Sequence, residues 1–139
     1  MTLSPSAHLD TFCRDHLPPP EQWPEFLFDL PDVRYPERLS VATVLLDDAI
    51  AAGWGERPCL VTATGESWTY ADLLAKANQV ARVLTEDLAL VPGNRVLLRG
   101  PNNPWLVAAW FGVLKAGGVV VPTMPLLRAR ELTTIGEVG

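Results

Sequence analysis

The chain has 139 residues, of which 48% are hydrophobic and 19% are charged, and its net charge is −5. This length suits one domain rather than two. The acidic balance, together with the lack of a Lys/Arg patch, argues against nucleic acid as a partner. The charged fraction is below the quarter or so of ordinary soluble chains, which predicts either a large core or an apolar surface that another body covers.

The N-terminal sequence MTLSPSAHLD has neither a basic start nor an apolar run, so no signal peptide is predicted. The apolar runs are far shorter than the ~20 residues that cross a membrane. Cys13 and Cys59 are distant in sequence and fit no CxxC pattern, so we expect free thiols rather than a disulfide. These features predict a cytoplasmic protein with no membrane partner.

Residues 1–38 are predicted to form an N-terminal strap rich in proline and aromatic residues. A short helix is predicted over residues 7–17, and the three prolines at 18–20 end it, because proline cannot continue a helix. Residues 22–38 alternate aromatic residues with prolines, which predicts an irregular segment packed on a larger body. A disordered tail is the alternative, but the density of large apolar groups argues against it.

A helix is predicted over residues 41–52, capped by Ser40 and stopped by Gly53. Its predicted buried face comprises Val41, Val44, Leu45, Ala49 and Ala52. Asp47 and Asp48 form a carboxylate pair that a metal or acid–base site could use. Because no His or Cys lies beside them, a solvated helix face is the better interpretation.

A β-hairpin is predicted next, followed by a long amphipathic helix. Residues 59–63 and 66–70 form the two strands around a Thr64-Gly65 turn, with Trp68 directed inward. Thr69 and Asp72 fit a capping box that opens the helix, which extends to about residue 88. The predicted buried stripe of this helix comprises Leu73, Ala77, Val80, Ala81, Leu84 and Leu88.

A second apolar strand is predicted over residues 95–99, after a type II turn with the sequence VPGN at residues 91–94. Its apolar run is typical of a strand that is buried on both faces. Asn103 is a suitable cap and Pro104 a suitable first residue for the helix that follows. The predicted buried face of that helix comprises Leu106, Ala109, Trp110, Val113 and Leu114.

Gly117-Gly118 stops this helix, and residues 119–121 form another apolar strand. Strand, helix and strand make a βαβ unit with parallel strands and a right-handed connection. A further helix is predicted to begin in residues 128–135. The fold class is therefore α/β, with a β-hairpin and a parallel βαβ unit flanked by helices.

Two parallel strands make too small a sheet to stand alone, so we expect an incomplete N-terminal subdomain. The predicted division is a strap at residues 1–38 and the N-terminal part of a larger domain at residues 39–139. Further βαβ units are expected to follow the last residue.

Motifs for nucleotide chemistry are missing from the loops. The loop RGPNNP at residues 99–104 lacks the second and third glycines of a dinucleotide site, and the loop TATGE at residues 62–66 has one glycine and no lysine. A surface or capping role is favoured over catalysis for His8 and His16, which lie in the strap. The aromatic residues of segment 105–111 could hold a flat ligand, but core packing is the better interpretation for Trp105, Trp110 and Phe111.

Five sequence segments nevertheless occur in a recognisable order. They read WTYADL (68–73), ANQVARVL (77–84), PGNRVLL (92–98), PNNPWLVAAWFGVLKAGGVVVP (101–122) and LLRAREL (126–132). Together they resemble the opening of the AMP-binding, adenylate-forming superfamily, which includes acyl- and aryl-CoA ligases, peptide-synthetase adenylation domains and luciferases. Segments 10–24 and 34–47 are similar to those of benzoate- and 2-aminobenzoate-CoA ligases.

The resemblance implies the N-terminal fragment of an ATP-dependent acid–CoA ligase. In such an enzyme a carboxylate, here an aromatic acid, attacks the α-phosphate of ATP to give an acyl-adenylate and pyrophosphate. The thiolate of CoA then displaces AMP and forms a thioester. ATP, Mg²⁺ and CoA are therefore implied for the full-length parent, whose cations stabilise the phosphate charge.

The phosphate loop with its lysine, the ribose-binding aspartate and the C-terminal lysine of this family are expected after the last residue. The resemblance therefore implies no catalytic, cofactor-binding or metal residue in this chain, which is expected to be inactive alone. The residues that the resemblance does assign are scaffold residues, which cap helices or form turns: Thr69, Asp72, Gly93, Asn102, Pro104, Gly117, Gly118 and Pro122.

Two other functions stay open. A stand-alone chain could be an interaction module that dimerises through its uncovered sheet, with or without exchanged elements. A small independent nucleotide-binding protein is a third hypothesis, which the glycine pattern of the loops disfavours.

Overall fold

The computed structural model describes residues 5–138. Its helices are α1 (Phe12–Asp15), α2 (residues 41–54, with π-helical turns at Thr43–Asp47 and Ile50–Trp54), α3 (Tyr70–Arg82, continued by the π-helical turn Val83–Asp87), α4 (Pro104–Lys115) and α5 (Ala129–Val138). Its strands are β1 (Pro58–Val61), β2 (Ser67–Thr69), β3 (Arg95–Arg99) and β4 (Val119–Thr123). None of the helices in this part of the chain is long and apolar enough to cross a bilayer.

The strands form two separate two-stranded sheets. β1 and β2 pair antiparallel, and Gly65 in their turn has a φ of 87°. β3 and β4 pair parallel, with Arg95 opposite Val119 and α4 as the crossover. The predicted α/β fold, with a hairpin and a parallel βαβ unit flanked by helices, is confirmed.

Predicted caps and turns set the ends of the helices. The Asp72 N–H donates to Thr69 Oγ1 at 3.1 Å and the Thr69 N–H returns to Asp72 Oδ2 at 2.9 Å, which completes the capping box at the start of α3. Asn103 Oδ1 accepts the Leu106 N–H at 2.9 Å and caps α4. In α2, Ser40 Oγ accepts the Thr43 N–H at 3.3 Å. These three predictions are confirmed.

The predicted buried face of α2 is wrong by one position. Ala42 and Leu46 are buried, whereas Val41, Val44 and Leu45 are exposed. Of the other predicted members, Ala49 is half-buried and Ala52 is exposed. The helix has apolar residues on two adjacent faces, so periodicity alone cannot tell which face meets α3.

The predicted buried stripe of α3 is correct in the first turns of the helix and wrong at its C-terminal end. Leu73 and Ala77 are fully buried, and the next three members are half-buried. Leu88 is 67% exposed. The π-helical turn Val83–Asp87 explains the difference, because a wider turn shifts the phase of the helix and directs later residues elsewhere.

The buried face of α4 is also only partly the predicted one. Val113 is fully buried, but the most buried line consists of Pro104, Ala108 and Gly112, spaced four residues apart. A Cβ on Gly112 would lie 2.6 Å from the Cβ of Val80, so only glycine allows α3 and α4 to approach this closely. The predicted face of α4 was based on large apolar residues, so it does not include this contact between α3 and α4, which small residues form. The remaining predicted members are half-buried: Leu106, Ala109, Trp110 and Leu114.

α1 is far shorter than the helix predicted over residues 7–17. The N–H groups of Leu9 and Asp10 both donate to the carbonyl oxygen of Pro92, at 2.9 Å each. Backbone that is committed to this long-range contact cannot also make helical hydrogen bonds. Tertiary contact therefore overrides the local helical pattern.

The rest of the strap is irregular, as predicted, and several of its large apolar side chains remain exposed. Short 3-10 turns at Pro20–Gln22 and Pro31–Val33 are its only regular elements within the described chain. Phe26, Phe28 and Tyr35 are exposed and contact one another, with ring centroids about 6 Å apart. These three aromatic residues therefore contact one another within the strap.

The β3–β4 sheet has helices near both faces without being fully buried. α4 packs on one face, and Ile135 of α5 lines a cavity of about 150 Å³ with Leu97 and Val121. Leu97 stays 47% exposed, so the prediction of a strand buried on both faces is wrong for these residues. α5, which was expected to begin in residues 128–135, is confirmed.

Candidate functional site

The carboxyl ends of β3 and β4 meet at one edge, where open α/β sheets bind their ligands. Two loops leave the sheet there, at residues 100–103 and 124–128. Arg99 Nη2 donates to the carbonyl oxygens of Pro125 and Leu127, and Thr123 Oγ1 donates to the Leu98 carbonyl oxygen at 3.2 Å. These bonds hold the second loop against the end of β3.

Two shallow grooves lie at this edge. One of about 410 Å³ is bounded by Gly100, Asn102, Leu106 and residues 122–126. The other, of about 370 Å³, lies between residues 60–63 and the segment 102–107. Their linings are apolar, with a few amide and hydroxyl groups and no acidic, basic or histidine side chain. Such surfaces can hold an apolar group but offer no general acid or base.

The linings do not fit the phosphates of a nucleotide. Sites for phosphate need several backbone N–H groups from a glycine-rich turn or a lysine or arginine beside them. Here the loop after β3 has a single glycine, Gly100, and the amide oxygen of Asn103 accepts the Leu106 N–H in the first turn of α4. No step of phosphate chemistry is therefore derived from these residues.

Three of the predicted scaffold residues lie in turns at the opposite edge of the sheet, where β3 and β4 begin: Gly93, Gly117 and Gly118. Gly93 has a φ of 98° and Gly117 a φ of 80°, and the Gly93 N–H donates to the Gly117 carbonyl oxygen at 2.8 Å. A Cβ on Gly118 would lie 2.9 Å from Val113 Cγ1. Asn102 and Pro122 lie at the carboxyl edge itself. The turns therefore tie the start of β3 to the start of β4.

The three aromatic residues of α4 do not form one cluster. Trp105 meets Trp68 edge-on, with centroids 5.3 Å apart, and Lys76 Nζ lies 5.3 Å above its ring. Trp110 contacts Phe111, which packs on the core. Core packing is therefore the right interpretation for Phe111 and the wrong one for Trp105, which is half exposed.

His16 and Asp47 have structural contacts. His16 Nδ1 lies 2.8 Å from the Phe12 carbonyl oxygen, which confirms a surface capping role. Asp47 forms an ion pair with Lys115 at 2.7 Å and thereby ties α2 to the end of α4, while Asp48 is exposed. Across residues 5–138, no three His, Cys, Asp or Glu side chains converge as a metal site would require.

Both cysteines are free thiols, as expected. Cys59 packs against the core, and burial raises the pKa of its thiol. A thiol with a raised pKa is less often a thiolate and is a poor nucleophile at neutral pH.

Asp10 joins the strap to the turn before β3. Its Oδ2 accepts from Asn94 Nδ2 at 2.8 Å and from Arg95, whose guanidinium lies 4.5 Å above the Phe12 ring. The pKa of Asp10 is lowered, first because the Phe12 N–H donates to its carboxylate, and then because the Asn94 and Arg95 side chains do the same. The charged form is thus the one that the fold prefers.

We predict that Asp10→Asn lowers the stability of the fold in a pH-dependent way. The folded-state pKa of Asp10 lies below its ordinary value of 3.8, so the carboxylate stabilises the fold above that pH. The contribution is lost as the pH falls through the folded-state pKa. Urea unfolding, followed by tryptophan fluorescence, should show a gap between wild type and variant at neutral pH that closes below pH 3.8. Asp48→Asn, at an exposed position, is the control and should show no such gap.

Sequence reasoning missed the long-range polar pairs. Asp10 and Arg95 are 85 residues apart, and Asp47 and Lys115 are 68 apart. A single sequence contains no local signal for such pairs. The contacts of Arg99 with the loop after β4 were missed for the same reason.

Comparison with known proteins identifies the family to which this chain belongs. A family model described as "AMP-binding enzyme" matches residues 48–138, which is well over half of the chain. The chain belongs to the AMP-binding enzyme family. The recognised superfamily is therefore confirmed, and its N-terminal elements correspond to the hairpin, α3 and the βαβ unit.

Individual members of the AMP-binding family match similar stretches. A long-chain-fatty-acid–CoA ligase of Salmonella typhimurium is 35% identical over 75% of this chain and 18% of that ligase. A salicyl-AMP ligase / salicyl-S-ArCP synthetase of Mycobacterium tuberculosis is 37% identical over 71% of this chain and 15% of that protein. The crystal structure of the anthranilate CoA ligase AuaEII in complex with anthranoyl-AMP superposes with a TM-score of 0.62 and 26% identity, over 68% of this chain and 18% of that one. The chain thus spans less than a fifth of the length of these relatives.

Proposed function

We propose that this chain is the N-terminal scaffold of a cytoplasmic, ATP-dependent acid–CoA ligase, which adenylates a carboxylic acid and transfers it to CoA. The observation that carries the proposal is the match of the AMP-binding family model to residues 48–138, over elements that appear in the expected order. The likeness to a long-chain-fatty-acid–CoA ligase supports the thioester-forming step.

The proposed acid is aromatic, of the benzoate or 2-aminobenzoate type. Segments 10–24 and 34–47 resemble those of aryl-CoA ligases, and two matched relatives are named for anthranilate and salicyl substrates. The match to a long-chain-fatty-acid–CoA ligase argues for a fatty acid instead. The identity of the acid is therefore a more specific proposal than the ligase reaction itself.

The proposed role of this chain's own residues is structural. ATP, Mg²⁺ and CoA would be bound by the complete ligase, because the grooves at the carboxyl edge have no charged lining. Within the proposal, residues 93–118 fix the turns, α4 and the sheet edge on which the rest of such an enzyme would be built. No catalytic, cofactor-binding or metal residue is assigned to the chain.

Incubation of the chain with ATP, Mg²⁺, CoA and either benzoate or 2-aminobenzoate is expected to release no pyrophosphate. A complete acid–CoA ligase in the same assay provides the positive control. The physical reason is that the linings of the two grooves at the carboxyl edge have no charged side chain that would stabilise the charge on the α-phosphate under attack. Acid-dependent turnover by the chain would contradict the proposal that it is a scaffold alone.

The second candidate function is a self-associating interaction module. It is favoured by large apolar side chains that remain exposed in the strap, on α2 and on β3: Phe26, Leu27, Phe28, Leu30, Val44, Leu45 and Leu97. Size-exclusion chromatography with light scattering tests it. A dimer is expected at high concentration, and a monomer throughout would count against this function.

A further inference from the structure

The middle of the strap, residues 20–33, presents aromatic and acidic side chains to solvent; we call it the acidic strap segment. Its charged side chains are all acidic, and all of them are exposed: Glu21, Glu25, Asp29 and Asp32. The large apolar side chains among them are exposed as well: Phe26, Leu27, Phe28 and Leu30. Exposed apolar groups surrounded by charges of one sign indicate a docking surface with a partner of the opposite charge.

Both ends of the strap lie where the β3–β4 sheet begins. The Asp10 N–H donates to the carbonyl oxygen of Pro92, in the turn before β3. His8 and residues 39–41, which follow the strap, line one cavity of about 480 Å³ together with residues 114–118, which precede β4. The strap is therefore a loop that is anchored at the edge of the sheet opposite to the carboxyl edge.

The groove of about 410 Å³ at the carboxyl edge has a basic border. Its lining includes Met124 and Leu126, which are 61% and 84% exposed. From residue 99 to residue 130 the chain has no acidic side chain, and the next acid, Glu131, accepts the Arg128 N–H. The arginines next to the lining in sequence are all exposed: Arg99, Arg128 and Arg130. An apolar groove with a basic border is complementary in charge to the acidic strap segment.

A second copy of this chain can bring the two surfaces together. Within residues 5–138, no strap residue lines the groove of its own copy. Because strap and groove lie at opposite ends of the same sheet, two copies side by side and antiparallel place the strap of each at the groove of the other. Such a contact has two identical halves and is closed by a two-fold axis. The acidic charge of the strap also opposes nucleic acid and anionic membranes as its partner.

We propose that two copies of this chain associate antiparallel, with the acidic strap segment of each docked in the carboxyl-edge groove of the other. The aromatic side chains of the segment enter the groove, and the carboxylates of Glu25 and Asp29 face its basic border. The inference rests on the self-association candidate and names its surface. The net charge of −5 opposes association, so the dimer is weak and salt weakens its charge contacts further.

Charge reversal at either surface is expected to weaken the dimer. The strap variant is Glu25→Lys with Asp29→Lys, and the groove variant is Arg128→Glu with Arg130→Glu. Each variant places like charges in both halves of the contact. Light scattering is measured from about 10 µM to about 1 mM protein, the range of weak association. We expect the wild type to approach twice the monomer mass of 15.2 kDa and each variant to associate at least about tenfold more weakly.

A mixture of the strap variant and the groove variant tests the contact itself. In the mixed dimer a basic strap meets an acidic groove border, and an acidic strap meets a basic one, so both halves are complementary again. The equimolar mixture should therefore approach the dimer mass, although neither variant does so alone. A variant with all four substitutions should also dimerise by itself, since it has the net charge of the wild type and two reversed surfaces that match.

Asp48→Lys with Glu56→Lys is the control for net charge. Both residues are exposed and lie outside the strap and the groove, and the pair changes the net charge as much as the strap variant does. This control should dimerise at least as well as the wild type, because a smaller net charge favours association. Circular dichroism verifies that each variant is folded. Glu25→Gln with Asp29→Asn, which removes the strap charges without reversing them, should give an intermediate loss.

The outcomes separate the surface from the function. Wild type that remains monomeric up to about 1 mM overturns both this inference and the self-association candidate. A dimer that survives both charge reversals, a mixture no more dimeric than its components, or an equal loss in the net-charge control overturns the contact between strap and groove and leaves self-association standing. Binding of the wild type to a basic surface of another protein, without a dimer, also overturns the inference.

Discussion

Leu73→Ala is expected to destabilise the fold by about 2–5 kcal/mol. Leu73 is 1% exposed and belongs to the central cluster with Leu46, Ala77 and Ala108. Truncation loses the burial of the removed atoms and leaves a cavity between α2, α3 and α4 that rigid helices cannot close. Chemical unfolding, followed by tryptophan fluorescence, gives the loss directly.

Leu126→Ala is the matched control, because Leu126 is 84% exposed. Its expected effect is within about 0.5 kcal/mol of zero. Similar unfolding midpoints for Leu73→Ala and Leu126→Ala would mean that the core is not where the structure places it.

Gly93→Ala is expected to destabilise the fold and release the start of the strap. Gly93 has a φ of 98°, a conformation that costs a residue with a Cβ about 1–2 kcal/mol. A Cβ there would also lie 2.1 Å from the carbonyl oxygen of Asp10, which is backbone and must move away. That movement threatens the two hydrogen bonds to Pro92, which contribute about 1 kcal/mol each.

Gly65→Ala separates strain from steric clash. Gly65 has a φ of 87°, but no other atom lies within 4 Å of the position that a Cβ would occupy. Both variants therefore meet the same conformational cost, and the excess in Gly93→Ala measures the contact with the strap. Hydrogen exchange should show faster exchange of the Leu9 and Asp10 amides in Gly93→Ala alone. Equal behaviour of the two variants would contradict the docking of the strap on this turn.

Local signals in the sequence predict the elements of this fold well. Capping residues such as Thr69, Asp72 and Asn103 act on backbone groups three residues away, so their chemistry is readable without a structure. The same holds for the turn at Gly93 and for the order of strand, helix and strand that makes the sheet parallel.

Contacts between elements are what the sequence alone does not reveal. The faces of α2 and α4 were misassigned because Ala42, Ala108 and Gly112 are buried at the contacts between helices and carry little apolar signal. The ion pair of Asp47 with Lys115 spans 68 residues and has no local signature. Packing is decided by shape, which periodicity does not encode.

The carboxyl edge was likewise only partly predictable. The motifs indicate which loops border it, and the missing glycines and lysine predict that these loops are not a phosphate cradle. The bridge from Arg99 to Pro125 and Leu127 could not be inferred, because it depends on how the second loop turns after β4.

We propose that residues 48–138 have a structural role in the ligase and do not determine which acid it activates. Replacing the matching segment of the Salmonella typhimurium long-chain-fatty-acid–CoA ligase with these residues tests that claim most directly. We expect a folded chimera, verified by circular dichroism, that exchanges pyrophosphate into ATP with fatty acids and not with benzoate or 2-aminobenzoate. A folded chimera that instead activates the aromatic acids would contradict the scaffold role.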